Sequence, residues 1–245
     1  MQIVIHPSAA AAARALADTI ADAIDHQPTL VLGLPTGRTP VALYRAMVEQ
    51  HRAGRVDFSK VTVFNVDEFA GLPADHPASY AAFMQRHLFQ HINIAPDRIR
   101  RPDGSARDPE REARRYETEI DAAGGMDIVV LGIGENGHIA FNEPGTSLES
   151  TTHVARLQAV TRRSNAELFG GKTEKVPRQG ITMGVGTLLR ARHVVLLATG
   201  PGKARIIQRA LEGPVTTLVP ASLLQLHPHA IAMLDRPAAG KLENS

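Results

Sequence analysis

Apolar residues along this chain come in two alternating textures. Short, nearly uninterrupted runs recur at Gln2 to His6, Thr29 to Leu34, Val61 to Val66, Asp127 to Leu131, His193 to Thr199 and Ala230 to Leu234. Between them, apolar positions return at helical spacing over Ala9 to Ile24, Val41 to Gln50, Ser79 to His91, Asp108 to Ala122 and Lys203 to Leu211. Runs that do not alternate with polar residues suit strands covered on both faces. Strands separated by helices call for parallel crossovers. The pattern therefore predicts an α/β fold, a Rossmann-like, open, mainly parallel sheet with helices on both faces, in one domain over residues 1–245. The least regular stretch, Thr161 to Gly180, holds Gly170-Gly171 and Pro177 among many charges and reads as a mobile lid or a solvated loop.

Composition removes several classes. The 27 basic and 25 acidic residues are interspersed, giving a net charge of +2, and only 4% of residues are aromatic. Stacking platforms for nucleic acid are scarce, and Arg111, Arg114 and Arg115 alternate with Glu110, Glu112, Glu117 and Glu119 as on a solvated helix face, so nucleic acid is not an expected partner. Cysteine is absent, which excludes disulfides and thiolate metal sites. The amino end has no secretory pattern and no apolar run approaches membrane-spanning length, so the expectation is a cytoplasmic protein with no membrane partner. No histidine spacing suits a metal, and His227-Pro228-His229 is expected to cap a helix or pack.

Chemistry gathers where the strands end. The fourth long run empties into Gly132-Ile133-Gly134-Glu135-Asn136-Gly137-His138, with Glu143 five residues on. Three close glycines let backbone approach a ligand, and a spacing of five suits neither a strand nor a helix face, so His138 and Glu143 belong to a loop. After the second run comes Pro35-Thr36-Gly37-Arg38-Thr39-Pro40, free amides and hydroxyls leading into a helix, with Thr39 as N-cap and Pro40 in the first turn. That is an anion cradle without a Walker ending. The third run delivers Asp67 and Glu68, side chains that diverge, so one enters a cleft while the other turns away. By themselves they would read as ordinary solvated charges, but beside a histidine and a phosphate cradle a carboxylate suits a general base toward a carbon acid. Lys203, after Gly200-Pro201-Gly202, and Arg162 add cations.

Taken together, Gly33-Leu-Pro-Thr-Gly37, Phe64-Asn-Val-Asp-Glu68, Gly137-His-Ile-Ala-Phe-Asn-Glu-Pro144, Gly184-Val-Gly-Thr-Leu-Leu189 and Leu224-Gln-Leu-His-Pro228 resemble the glucosamine-6-phosphate deaminase family, within the group that includes 6-phosphogluconolactonases. The resemblance covers nearly the whole chain. It implies conversion of D-glucosamine 6-phosphate and water to D-fructose 6-phosphate and ammonia, without a metal or organic cofactor. It implies that His138 assists ring opening, that Asp67 moves the proton between C2 and C1, that Glu143 holds and polarises His138, and that Asn136 orients it. Thr36, Gly37, Arg38, Thr39, Gly137, Arg162 and Lys203 would contact the phosphosugar.

Two departures stand out. Asn136 occupies a position where many members carry aspartate, and an amide orients His138 without supplying negative charge, which predicts a lower His138 pKa than in an aspartate-bearing relative. The run Thr146 to Ala155 places His153 and Ala155 where effector-regulated members present cations, and the chain ends at Ser245, so hyperbolic kinetics without activation by N-acetylglucosamine 6-phosphate are expected. Rival readings are a galactosamine-6-phosphate deaminase or isomerase, a 6-phosphogluconolactonase, which lacks the Phe141-Asn-Glu-Pro144 motif, and a non-catalytic phosphosugar sensor. A DNA-reading regulator would need a helix-turn-helix, and the chain starts directly on the first strand at Gln2. A homo-oligomer stays open.

Overall fold

The computed structural model of the chain describes residues 1–243. Its order is β1 (Gln2–His6), α1 (Ala9–His26), β2 (Val31–Leu34), α2 (Pro40–Arg52), β3 (Thr62–Asn65), β4 (Asp67–Phe69), α3 (Tyr80–His87), β5 (Ile99–Arg100) and α4 (Pro109–Ala122). Then follow β6 (Ile128–Leu131), β7 (His153–Arg156), α5 (Ala159–Asn165), β8 (Gln179–Thr182), α6 (Val185–Leu189), β9 (His193–Ala198), α7 (Ala204–Leu211), β10 (Ala230–Asp235) and α8 (Arg236–Ala239).

Seven strands form one sheet in the order β1-β10-β9-β6-β2-β3-β5, and every neighbouring pair is parallel. Alternate strand residues feed two different cores. Ile128, Val130, Val195 and Leu197 pack with α1 and α2, whereas Val129, Leu131, Val194 and Leu196 pack with α4, α6 and α7. Both faces are therefore apolar, which is why these strands show no polar alternation in the sequence.

Connectivity fixes where a ligand can enter. From β2 the chain runs outward through β3 to β5, then returns to the other side of β2 at β6 and runs outward again through β9 and β10. The loops leaving β2 and β6 consequently diverge, opening a crevice at the carboxyl ends of these adjacent strands. Their close approach also explains a glycine in mid-strand, since a Cβ on Gly33 would fall 2.7 Å from Val129 Cγ2. No helix among the described residues is long and apolar enough to cross a membrane.

Several local expectations are corrected. The helix expected over Ser79 to His91 is shorter, because Ser79 is its cap, accepting from the Ala82 amide, and a 3-10 turn over Phe89–His91 takes over after Leu88. Thr39 is not an N-cap: its backbone is already helical and its hydroxyl makes no capping bond, since a cap needs an extended residue. The stretch Thr161 to Gly180 contains the end of α5, 3-10 turns at Ala166–Phe169 and Thr173–Lys175, and the start of β8, so it is not an irregular loop. β8 belongs to a second sheet, β4-β8-β7, antiparallel throughout, whose apolar side shares a cluster of Phe69, Tyr80, Phe141, Leu157 and Val176. His227 packs, as expected: it is buried, its Nε2 lies 2.8 Å from the Ala191 carbonyl, and its Nδ1 accepts from the His229 amide.

Glu117 of α4 joins the two sheets. Its carboxylate accepts from the Thr152 amide at 2.9 Å, from the Thr152 and Thr187 hydroxyls, and from Arg190 at 2.6 Å. Burial pushes its pKa up, but these donors outweigh burial and hold it below the usual carboxylate range. A carboxyl with a depressed folded-state pKa contributes stability above its unfolded pKa and loses it as pH falls through the folded value. Glu117→Ala should lower stability at pH 7 by about 1–3 kcal/mol in urea titration, and the deficit should narrow below roughly pH 4.

Candidate active site

The crevice holds a cavity of about 450 Å³. One end is built by the loop after β2. Gly37 sits at φ +114°, a conformation that side-chain-bearing residues avoid, and lets Thr36 to Thr39 wrap the amino end of α2. Tyr44, fully buried on α2, braces this loop by donating its hydroxyl to the Pro35 carbonyl. Thr36, Gly37, Arg38 and Thr39 all line the cavity, as does Lys203 from the turn after β9. Lys203 Nζ donates to the Ile133 carbonyl at 2.6 Å, tying the β9 loop to the β6 loop. Burial lowers its pKa, Glu135 opposes that, and Arg38 adds to it. Two cations and a helix amino end converge here, which favours an anion.

The loop after β6 supplies the imidazole. Gly134 is required at its position, because a Cβ there would lie 2.1 Å from His138 Cε1, and its amide donates to the His138 carbonyl at 2.9 Å. His138 Nδ1 stands 2.7 Å from Asn136 Oδ1 and 3.3 Å from Thr161 Oγ1. An amide oxygen only accepts, so Nδ1 carries the proton and Nε2 keeps its lone pair. Burial lowers the His138 pKa against the opposing pull of Glu143 and Glu135, and Lys203 lowers it further. Glu143 Oε2 stands 3.7 Å from Nδ1, near enough to favour the imidazolium, while its hydrogen bond goes to Asn136 Nδ2, from which it accepts at 2.7 Å.

Asp67 and Glu68 diverge where β3 gives way to β4. Asp67 lines the cavity, is only 5% exposed, and its Oδ1 has no hydrogen-bond partner. Burial, with Glu68 adding repulsion, holds its pKa well above the usual carboxylate range. Glu68 is not a solvated charge. It is buried and accepts from the Phe69, Tyr80 and Ala81 amides at 2.8, 3.0 and 2.8 Å, closing the amino end of α3. A desolvated carboxylate and a neutral imidazole with an open Nε2 thus face one cavity that Arg38 and Lys203 also line.

Two residues expected to contact the phosphosugar lie outside the cavity lining. Arg162 stays outside the cavity walls, because on α5 the inward face is carried by Thr161, Ser164 and Asn165, and Arg162 lies off it. Gly137 is a turn residue at φ +90°, closed against Val219, whose Cγ1 would be 2.8 Å from a Cβ, and it does not line the cavity. Among the lining residues that sequence alone does not single out are Tyr80 and Ala140. Tyr80 reaches the Thr36 hydroxyl and donates to Asn165 Oδ1 at 3.0 Å, and Ala140 takes φ +48°, a strained value for a residue with a Cβ. Tyr80, at a helix start, belongs to no motif; Ala140 sits within the Gly137-to-Pro144 run, where its strained backbone sets it apart. Among the described residues no cluster of three or more His, Asp or Glu has metal-holding geometry.

A carboxyl with a raised folded-state pKa costs stability as pH rises past its unfolded pKa, because the unfolded chain ionises first. Asp67→Asn removes that cost, so its melting temperature should exceed that of the parent at pH 8 and match it near pH 4 by calorimetry. Gly134→Ala should push the His138 ring aside and lower turnover by about a hundredfold with unchanged circular dichroism.

Comparison with known proteins agrees with this geometry. Residues 6–233 match the family described as glucosamine-6-phosphate isomerases/6-phosphogluconolactonase. The chain is 50% identical over 227 residues to glucosamine-6-phosphate deaminase 2 of Bacillus subtilis, covering 92% of this chain and 91% of that protein. It is 48% identical over 244 residues to the glucosamine-6-phosphate deaminase of Cellvibrio japonicus, covering 100% and 92%. A solved structure of a monomeric glucosamine-6-phosphate deaminase superposes with a TM-score of 0.96 at 41% identity, covering 98% of this chain and all of that one. The 6-phosphogluconolactonase from Trypanosoma cruzi, at 24% identity and a TM-score of 0.78 over 99% and 97% of the two chains, shares the fold. With its sheet order, its cavity at the switch point and these relatives in accord, the chain belongs to the glucosamine-6-phosphate isomerase/6-phosphogluconolactonase family.

Proposed function

We propose that this protein is a glucosamine-6-phosphate deaminase, converting D-glucosamine 6-phosphate and water to D-fructose 6-phosphate and ammonia. The observation that carries the reading is that Asp67 and His138 wall the same cavity as the Thr36–Thr39 cradle and Lys203. The phosphate sits among the Thr36, Gly37, Arg38 and Thr39 groups and Lys203, and its binding energy positions the far end of the sugar. His138 Nε2 takes the O1 proton and returns it to the ring oxygen, opening the pyranose to an aldehyde. Asp67, ionised, removes the proton from C2, next to the carbonyl. The substrate ammonium passes a proton to O1 as the enolamine forms, and a proton delivered to C1 by the Asp67 carboxyl gives the C2 iminium, which water hydrolyses to the ketose and ammonium, the protonated form of the ammonia released.

Each perturbation serves its step. Desolvation makes Asp67 a stronger base than a surface carboxylate, and the lowered His138 pKa keeps the imidazole neutral at neutral pH. The acidic limb of kcat/KM accordingly follows ionisation of Asp67 and lies above the ordinary carboxylate range.

An ammonia-release assay on glucosamine 6-phosphate and galactosamine 6-phosphate tests the reading. Release from the glucosamine substrate is expected, with Asp67→Asn reducing it by about a hundred- to ten-thousandfold and abolishing solvent exchange at C2. Preference for the galactosamine epimer, or undiminished exchange in the variant, contradicts it. Asn136→Asp should raise the His138 pKa and so move the acidic limb of the ring-opening step, which needs the neutral imidazole, to higher pH. Velocity should stay hyperbolic, and sigmoidal curves relieved by N-acetylglucosamine 6-phosphate would oppose the absence of an effector site.

A further inference from the structure

We propose that Gln158, outside the cavity, is a positioning residue that fixes the Asn136 amide and thereby selects the tautomer of His138; the inference rests on the reading of His138 as the ring-opening base. An asparagine amide has two unlike ends, so unlike a carboxylate it orients a histidine usefully in only one of its two flips. Here the oxygen faces two donors, the His138 backbone amide at 3.3 Å and Nδ1 at 2.7 Å. The nitrogen faces two acceptors, Glu143 Oε2 at 2.7 Å and Gln158 Oε1 at 3.2 Å. Gln158 also donates its backbone amide to Glu143 Oε1 at 2.9 Å, so it seats both the carboxylate and the amide.

Flipping Asn136 would set its NH2 against the His138 backbone N–H and offer Nδ1 a donor. His138 would then carry its proton on Nε2 and have no lone pair toward the sugar. Nδ1 is also approached by Thr161, whose hydroxyl can turn to suit either tautomer and so does not choose between them. The other charged groups facing His138 are Glu143, Glu135 and Lys203, which change the proton affinity of the ring but do not distinguish the ends of the Asn136 amide. Gln158 immediately precedes α5, whose Ser164 and Asn165 line the cavity, so seating of that helix and readiness of the imidazole are linked through one side chain.

Nitrogen-15 NMR of the histidines in the full chain, with kcat and KM measured on the same samples, tests this. The parent should show His138 as the Nδ1–H tautomer. Gln158→Met, which keeps length and loses the acceptor, should admit the other tautomer and lower kcat about three- to tenfold with KM changed by less than about twofold. Gln158→Glu should keep the tautomer and move the acidic limb of the ring-opening step, which needs neutral His138, to higher pH. In an Asn136→Asp background, where the two oxygens are equivalent, Gln158→Met should have an effect below about twofold. An unaltered tautomer and kcat in Gln158→Met overturns the proposal, as does an equal loss in the Asn136→Asp background, which would mark a merely structural role. If the parent shows the expected tautomer but releases no ammonia, the functional reading fails while the orientation mechanism stands.

Discussion

Taking the Asp67 carboxyl out of water is the constraint around which the site is built. Nothing donates to its Oδ1, and Glu68 beside it adds repulsion. The chain leading to Asp67 is packed on both faces, Val63 in one core and Phe64 and Val66 in the other. Stability given up there returns as basicity, since a carboxylate deprived of solvent regains most by taking a proton. The same burial raises the phenols of Tyr44 and Tyr80, so both stay protonated donors that brace the phosphate loop and the α5 segment. Arg38 and Lys203 line the same cavity and attract the phosphate, while burial and Glu68 govern the proton affinity of Asp67.

Charge is handled differently at the histidine. Glu143 is near enough to favour an imidazolium, yet burial wins and the ring is biased toward neutrality. Interposing the Asn136 amide makes that possible, because it transmits direction from Glu143 without delivering charge to Nδ1. Geometry and proton affinity are thus set by separate groups, an arrangement that an aspartate at the same position would merge.

Much of this was legible in the sequence. Uninterrupted Val, Ile and Leu runs announced strands covered on both faces, and the glycine-rich loops at their carboxyl ends announced the crevice, since both follow from local physics. Contacts made across long separations were not legible. β4 and β8 are too short to carry a period, so the second sheet stayed hidden within a stretch that looked irregular. Glu68 read as a surface charge because its partners, the Tyr80 and Ala81 amides, lie twelve and thirteen residues away. Arg162 lies beside the lining residues Ser164 and Asn165 rather than among them, a matter of helix phase that the sequence does not show without the α5 boundaries. Gly137 sits at positive φ against Val219, a packing constraint that the motif by itself does not reveal.

Titration of the Asp67 carboxyl carbon by carbon-13 NMR, assigned by its loss in Asp67→Asn, tests the central claim most directly. The account predicts a midpoint well above the ordinary carboxylate range in the free protein. A midpoint near about 4, the value for an aspartate in water, would mean that the group is not desolvated and that its basicity must come from elsewhere.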